Sequence, residues 1–185
     1  MAAWLIVGWR PLFYIAPAPA EASWLQIGWV RYLLWTLLAL FVAGGLLPIV
    51  IAAWKKLMGR PRKYASAEAL KSMAWFLPAT WVERRWFGYV CVTAGICEET
   101  LFRGFLLHYL HAFPWSLNLT LALLVSAIIF GLQHLYQGVA EAIQSGVIGL
   151  LMGVLFLLTG NLLTPMIVHA ALDLRMLVIL RPPTE

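Results

Sequence analysis

Six side chains capable of acid–base or electrostatic chemistry lie inside apolar runs of this chain. They form three groups in order: Glu98-Glu99-x-x-x-Arg103, Phe130-x-x-x-His134 and His169-x-x-x-Asp173. On an α-helix, residues four apart lie about 40° from one another. Glu99 and Arg103 then share a face and can form an internal ion pair. Glu98 points about 140° from Arg103 and is left free to face a cavity. His169 and Asp173 project together, and the Phe130 ring packs beside the His134 imidazole. A carboxylate poised between burial and nearby cations can take a proton from water, and an imidazole beside it can return one to a leaving group.

Each group also has a structural explanation. An ion pair can pin a helix, an imidazole can satisfy a backbone group, and an Asp near a helix end can snorkel to the interface. Taken together, two carboxylates, two imidazoles and an arginine on three apolar helices call for a common polar cavity. A charge at the bilayer centre costs about 2.5–3.5 kcal/mol on insertion scales before partners compensate. Ser126 and Cys97 have no spacing that makes an activated nucleophile, and the two-His helical motif of soluble zinc proteases is absent. Gln133 adjoins His134 but points off its face. His108 and His111 read as solvated at the far end of their helix.

The elements that must position these groups follow from composition. The chain has 185 residues, 63% apolar and 11% charged, with a mean hydropathy of +0.85. Soluble domains carry about 25% charged residues, so this is an integral membrane protein. The fold class expected is all-α, a polytopic transmembrane helix bundle. Five spans fit: Tyr32–Trp54, Trp86–His108, Leu117–His134, Ala142–Leu158 and Leu162–Leu180. A sixth candidate lies in residues 1–31, where Arg10-Pro11 and the Ala-Pro repeat at 16–20 interrupt an apolar stretch. No basic segment precedes that stretch, so a cleaved signal peptide is not expected. The organisation is then an N-terminal apolar segment (1–31), a first clear span with a basic loop (32–85), and a catalytic membrane core (86–180).

Residues 55–85 hold eight basic against two acidic residues, a net +6. The positive-inside rule puts this loop in the cytoplasm, and alternation of the spans brings the C-terminus, with Arg175 and Arg181, to the same side. The formal net charge of +5 therefore reports topology, and no nucleic-acid partner is expected. Ala67–Trp75 reads as a helix on the membrane surface. Small size and short loops suggest a bacterial inner membrane. Gly149-x-x-x-Gly153 lets helices approach closely. Cys91 and Cys97, six apart on one helix, are about 9 Å apart along its axis, too far for a disulfide.

The three motifs in this order, with the contexts Glu98-Glu-Thr-Leu-Phe-Arg-Gly-Phe-Leu106 and Leu162-Leu-Thr-Pro-Met-Ile-Val-His-Ala-Ala-Leu-Asp173, resemble the CAAX protease and bacteriocin-processing family of intramembrane endopeptidases. The resemblance covers roughly residues 86–180. It implies that Glu98 acts with His134 to activate water. His169 and Asp173 would stabilise the oxyanion or help hold a metal, and Glu99 and Arg103 would support the site. The cofactor implied is zinc or another divalent metal on Glu98, His134 and His169, with a metal-free glutamate mechanism equally open. The partners implied are a membrane protein or lipidated peptide as substrate and the lipid bilayer. Members that act as bacteriocin-immunity proteins make a non-proteolytic binding role the alternative. A proton-coupled transporter is less favoured, because no repeats with broken helices appear.

Asp173 occupies a position where the family accepts Asn or Asp. An amide donates to an oxyanion, whereas an ionised carboxylate only accepts. Asp173 is therefore expected to act through His169 or a metal and not as a direct donor.

Overall fold

The computed structural model describes residues 23–59, 78, 80–112 and 114–179. Among them there is no strand, and the chain is an all-α helix bundle. A short helix α1 (Ser23–Gln26) leads into α2 (Gly28–Leu57), and α3 (Trp81–Glu99) follows the basic loop. It passes without a break into a π-helical stretch, Thr100–Leu106, and then into α4 (Leu107–His111). Next come α5 (Leu119–Leu132), a 3-10 turn at Leu135–Gln137, α6 (Val139–Thr159), α7 (Leu163–Leu174) and α8 (Met176–Ile179). The sixth span expected in residues 1–31 falls mostly outside the described residues, as does the surface helix expected at Ala67–Trp75.

Helices stand at all five expected spans, and three are by themselves long and apolar enough to cross a membrane: Gly28–Leu57, Leu119–Gln137 (α5 with its 3-10 turn) and Val139–Thr159. Of the other two, one changes helix type along its length and one is divided. The span expected over Trp86–His108 begins earlier, at Trp81, because Thr80 and Glu83 form a capping box. The Glu83 amide donates to Thr80 Oγ1 at 3.2 Å, and the Thr80 amide donates to Glu83 Oε2 at 3.1 Å. The span expected over Leu162–Leu180 is divided at Arg175, the residue that closes α7. Helix α2 exposes large apolar side chains along most of its length, among them Trp29, Leu40, Val50 and Leu57. A face like that suits lipid, and polar surroundings would penalise it.

Two helix pairs make the closest contacts, α5 with α6 and α3 with α7. Small residues set both. A Cβ on Gly131 would meet the Ala142 carbonyl oxygen at 2.6 Å, so α5 and α6 touch backbone to backbone there. On α6, a Cβ at Gly149 would lie 2.9 Å from the Phe130 ring. The Gly149-x-x-x-Gly153 pattern is thus a packing surface for α5. The chain enters α6 through Gly138 at φ 128, a conformation open to glycine and strained for other residues.

The α3–α7 pair depends on Gly95. A Cβ there would meet the Ala170 amide nitrogen and the Met166 carbonyl oxygen, both at 3.0 Å. One turn further along α3 is Glu99, and beside Ala170 is His169, so this approach sets the distance between those two side chains. Gly88, on the same helix, has nothing nearer than 3.9 Å. Gly88→Ala is therefore expected to be neutral or to stabilise by up to ~1 kcal/mol through helix propensity. Gly95→Val is expected to cost about 1–3 kcal/mol through overpacking against backbone. Thermal unfolding in detergent of the two variants beside the wild type measures the contrast. Equal stability in the two would remove Gly95 from this role.

Candidate active site

Glu99 is completely buried at the end of α3. Its Oε1 accepts from Arg103 Nη1 at 3.0 Å and from His169 Nδ1 at 2.8 Å. Its Oε2 has no hydrogen-bond partner among the described residues. The guanidinium of Arg103, also buried, donates through Nη2 to the Gly149 carbonyl at 2.5 Å. Its carbon stands 4.8 Å from the centre of the Phe130 ring, within range of a cation–π interaction. The arginine thus meets a carboxylate, a carbonyl and an aromatic face on three different elements.

Both histidines carry a hydrogen on Nδ1. A carbonyl only accepts, so the contact of 2.9 Å between His134 Nδ1 and the Phe130 oxygen places the hydrogen on Nδ1. His169 likewise donates from Nδ1, to Glu99. The Phe130 ring lies 5.1 Å from the His134 ring and 6.0 Å from the His169 ring, centre to centre. His169 Nε2 faces Asp173 Oδ2 at 3.5 Å and Glu98 Oε2 at 3.9 Å. The structure therefore brings Glu98, Glu99, Arg103, His169 and Asp173 into one polar cluster, with His134 beside it across Phe130.

Glu98 differs from its neighbour. Its side chain is 28% exposed while that of Glu99 is 0% exposed, and Gln133 Nε2 donates to its Oε2 at 3.4 Å. The expectation that Gln133 points off the His134 face is corrected. Helix α5 ends at Leu132, and by His134 the backbone has left helical geometry, at φ −92 and ψ 4. Gln133 keeps helical backbone geometry, with its amide donating to the Ile129 carbonyl at 3.1 Å, and its side chain reaches Glu98 on α3. The polar pair Gln133-His134 closing an apolar run is the signal that could have marked the helix end. His169 has a carboxylate on each side of its ring. Glu99 holds Nδ1, while Asp173 sits on the Nε2 side.

Two further expectations change. His108 is not simply solvated, because its Nδ1 donates to the Arg103 carbonyl at 3.2 Å, five residues back as π geometry allows. His111 Nδ1 donates to the Leu117 carbonyl at 2.8 Å. Ser126 is buried with its hydroxyl directed to the Phe102 carbonyl at 3.4 Å, which leaves it no part as a nucleophile. Cys91 and Cys97 are free thiols, one buried and one exposed.

Among the described residues, no three His, Cys, Asp or Glu side chains gather into a ligand group for a metal ion. As arranged, Glu98, His134 and His169 do not form such a set. The buried pair yields a direct test. Arg103→Leu leaves Glu99 an uncompensated buried charge, and a loss of about 3–5 kcal/mol is expected. Glu98→Gln, at a half-open position, is expected to leave the thermal midpoint within a degree or two of wild type, on the order of the scatter for a surface change. Unfolding in detergent separates the two.

No curated protein and no solved structure matches the chain. Residues 79–175, just over half of the 185-residue chain, match a family of membrane proteases described as type II CAAX prenyl endopeptidase Rce1-like. The matched stretch holds all seven residues named in the three motifs and Gln133. The chain, an integral membrane protein, belongs to the type II CAAX prenyl endopeptidase Rce1-like family.

Proposed function

We propose that the chain is an intramembrane endopeptidase in which Glu98, assisted by His134, activates a water for attack on a peptide carbonyl. The observation that carries this reading is the contrast between two adjacent carboxylates. Glu99 is buried and committed to Arg103 and His169, whereas Glu98 is part-exposed with one oxygen uncommitted. A general base needs access to its water and a place to put the proton, and only Glu98 has both.

The step balances within the protein's own groups. Glu98 takes a proton from water, the hydroxide oxygen bonds to the carbonyl carbon, and the carbonyl electron pair moves onto its oxygen. The tetrahedral species then collapses and expels the amine. The proton on Glu98 reaches that amine through His134 Nε2, whose lone pair is free because Nδ1 is engaged with Phe130. Asp173 acts through His169. The substrate is a membrane protein or lipidated C-terminal peptide reached from the bilayer. The setting is a bacterial inner membrane, with the basic 55–85 loop and the C-terminus cytoplasmic.

Cleavage of prenylated and unprenylated C-terminal peptides by protein in liposomes tests this. Glu98→Gln is expected to lower kcat by at least ~10²-fold, the scale of one general base. A variant that cleaves at the wild-type rate would remove Glu98 as the base. A chelator arm reads whether a divalent metal such as zinc takes part. In the same assay Asp173→Asn is expected to lower activity, and full activity without chelator sensitivity would overturn the reading that Asp173 acts through His169 or a metal.

A further inference from the structure

Hydrolysis by this route places negative charge on the former carbonyl oxygen, and a donor must meet it where it develops. The donors around the site are mostly committed. Arg103 is buried on Glu99, Gly149 and Phe130. The Nδ1 hydrogens of His134 and His169 are directed to Phe130 and Glu99, and His169 Nε2 faces two carboxylates, Asp173 at 3.5 Å and Glu98 at 3.9 Å. Glu98, Glu99 and Asp173 only accept when ionised. Gln133 stands apart from these. Its amide carries two hydrogens on Nε2, one donated to Glu98 Oε2 at 3.4 Å. The other has no partner among the described residues, and the side chain is exposed. An amide oxygen turned toward Glu98 would set lone pairs against lone pairs, so the nitrogen faces the carboxylate.

We propose that Gln133 is a further catalytic residue, whose second Nε2 hydrogen binds the oxyanion formed beside Glu98. The residue that holds the base is then also the donor for the charge the base creates. Both act within one hydrogen-bond length of the same carboxylate, so water and carbonyl are oriented together. In this chain Asp173 lacks an amide, and Gln133 supplies one from a different helix end. The assignment rests on the proposed hydrolysis and adds to it a residue that the general-base argument does not require.

The test uses the full chain in liposomes and a peptide that the wild type cleaves. Gln133→Met keeps the length of the side chain without its donor, and Gln133→Leu removes the amide while keeping an uncharged branched side chain. Each is expected to lower kcat by roughly 10²–10³-fold, the scale of one oxyanion donor, with KM changed little. A phosphonate analogue of the same peptide, which carries the tetrahedral oxyanion, is expected to lose affinity by the same factor. A residue that only shaped the site would not produce that match. Wild-type kcat in either variant overturns the proposal, as does a fall in kcat with unchanged phosphonate affinity. Those results leave Glu98 as the base if Glu98→Gln is inactive. A wild type that cleaves no peptide, or an active Glu98→Gln, overturns the hydrolytic reading itself and this inference with it.

Discussion

Glu99 Oε1 accepts hydrogen bonds from two helices at once, from Arg103 in the π-helical stretch and from His169 on α7. Arg103 extends the link to the Gly149 carbonyl on α6. Three elements are thereby tied through one carboxylate oxygen in a region where water cannot compensate for a broken contact. Buried ion pairs are poor sources of net stability, because apolar residues of similar volume often serve as well or better. Stability alone thus gives no reason for this trio. What it supplies is direction: with Nδ1 committed to Glu99, His169 must present Nε2 toward Glu98 and Asp173. The ring can be turned only by breaking a bond to a buried charge.

The same helix shows how the trio is accommodated. Cys91, Gly95, Glu99, Arg103 and Leu107 are all buried, four residues apart. In a regular α-helix each such step drifts about 40°, or about 160° over the four steps, and Leu107 would face nearly opposite Cys91. The π-helical stretch from Thr100 to Leu106 has a wider turn that takes back part of this drift and keeps Arg103 and Leu107 facing the bundle. Its hydrogen bonding is completed from outside the regular ladder. Ser126 Oγ reaches the Phe102 carbonyl and His108 Nδ1 the Arg103 carbonyl. A π-helical insertion often marks a functional site, and here its effect is to hold an arginine inward.

The class of fold was legible because membrane composition leaves helices as the natural solution, and the Glu99–Arg103 and Phe130–His134 pairs were legible because both are local contacts set by helical spacing. Three features were hidden for distinct reasons. The meeting of Glu99 with His169 depends on which faces of α3 and α7 come together, and a missing Cβ at Gly95 decides that through backbone approach, which no periodicity records. The role of Gln133 was hidden because its partner, Glu98, lies 35 residues away on α3. The π-helical stretch was hidden because a strict spacing of four is also compatible with an α-helix until one asks how far it drifts. The start of α3 was different, since Thr80-x-x-Glu83 is a readable capping signal.

The two histidines come to donate from Nδ1 by routes of different range. His134 donates to Phe130, four residues earlier, so its orientation is fixed by the last turn of α5. His169 donates to Glu99, 70 residues away in sequence, so its orientation exists only when α3 and α7 are docked. The orientation of the His134 ring is therefore set locally, at the end of α5. The His169–Asp173 side depends on the assembled bundle. A loosening of α3 from α7 would misdirect His169 while leaving the His134 tautomer intact. The close approach at Gly95 is thus what joins the two halves of the site into one.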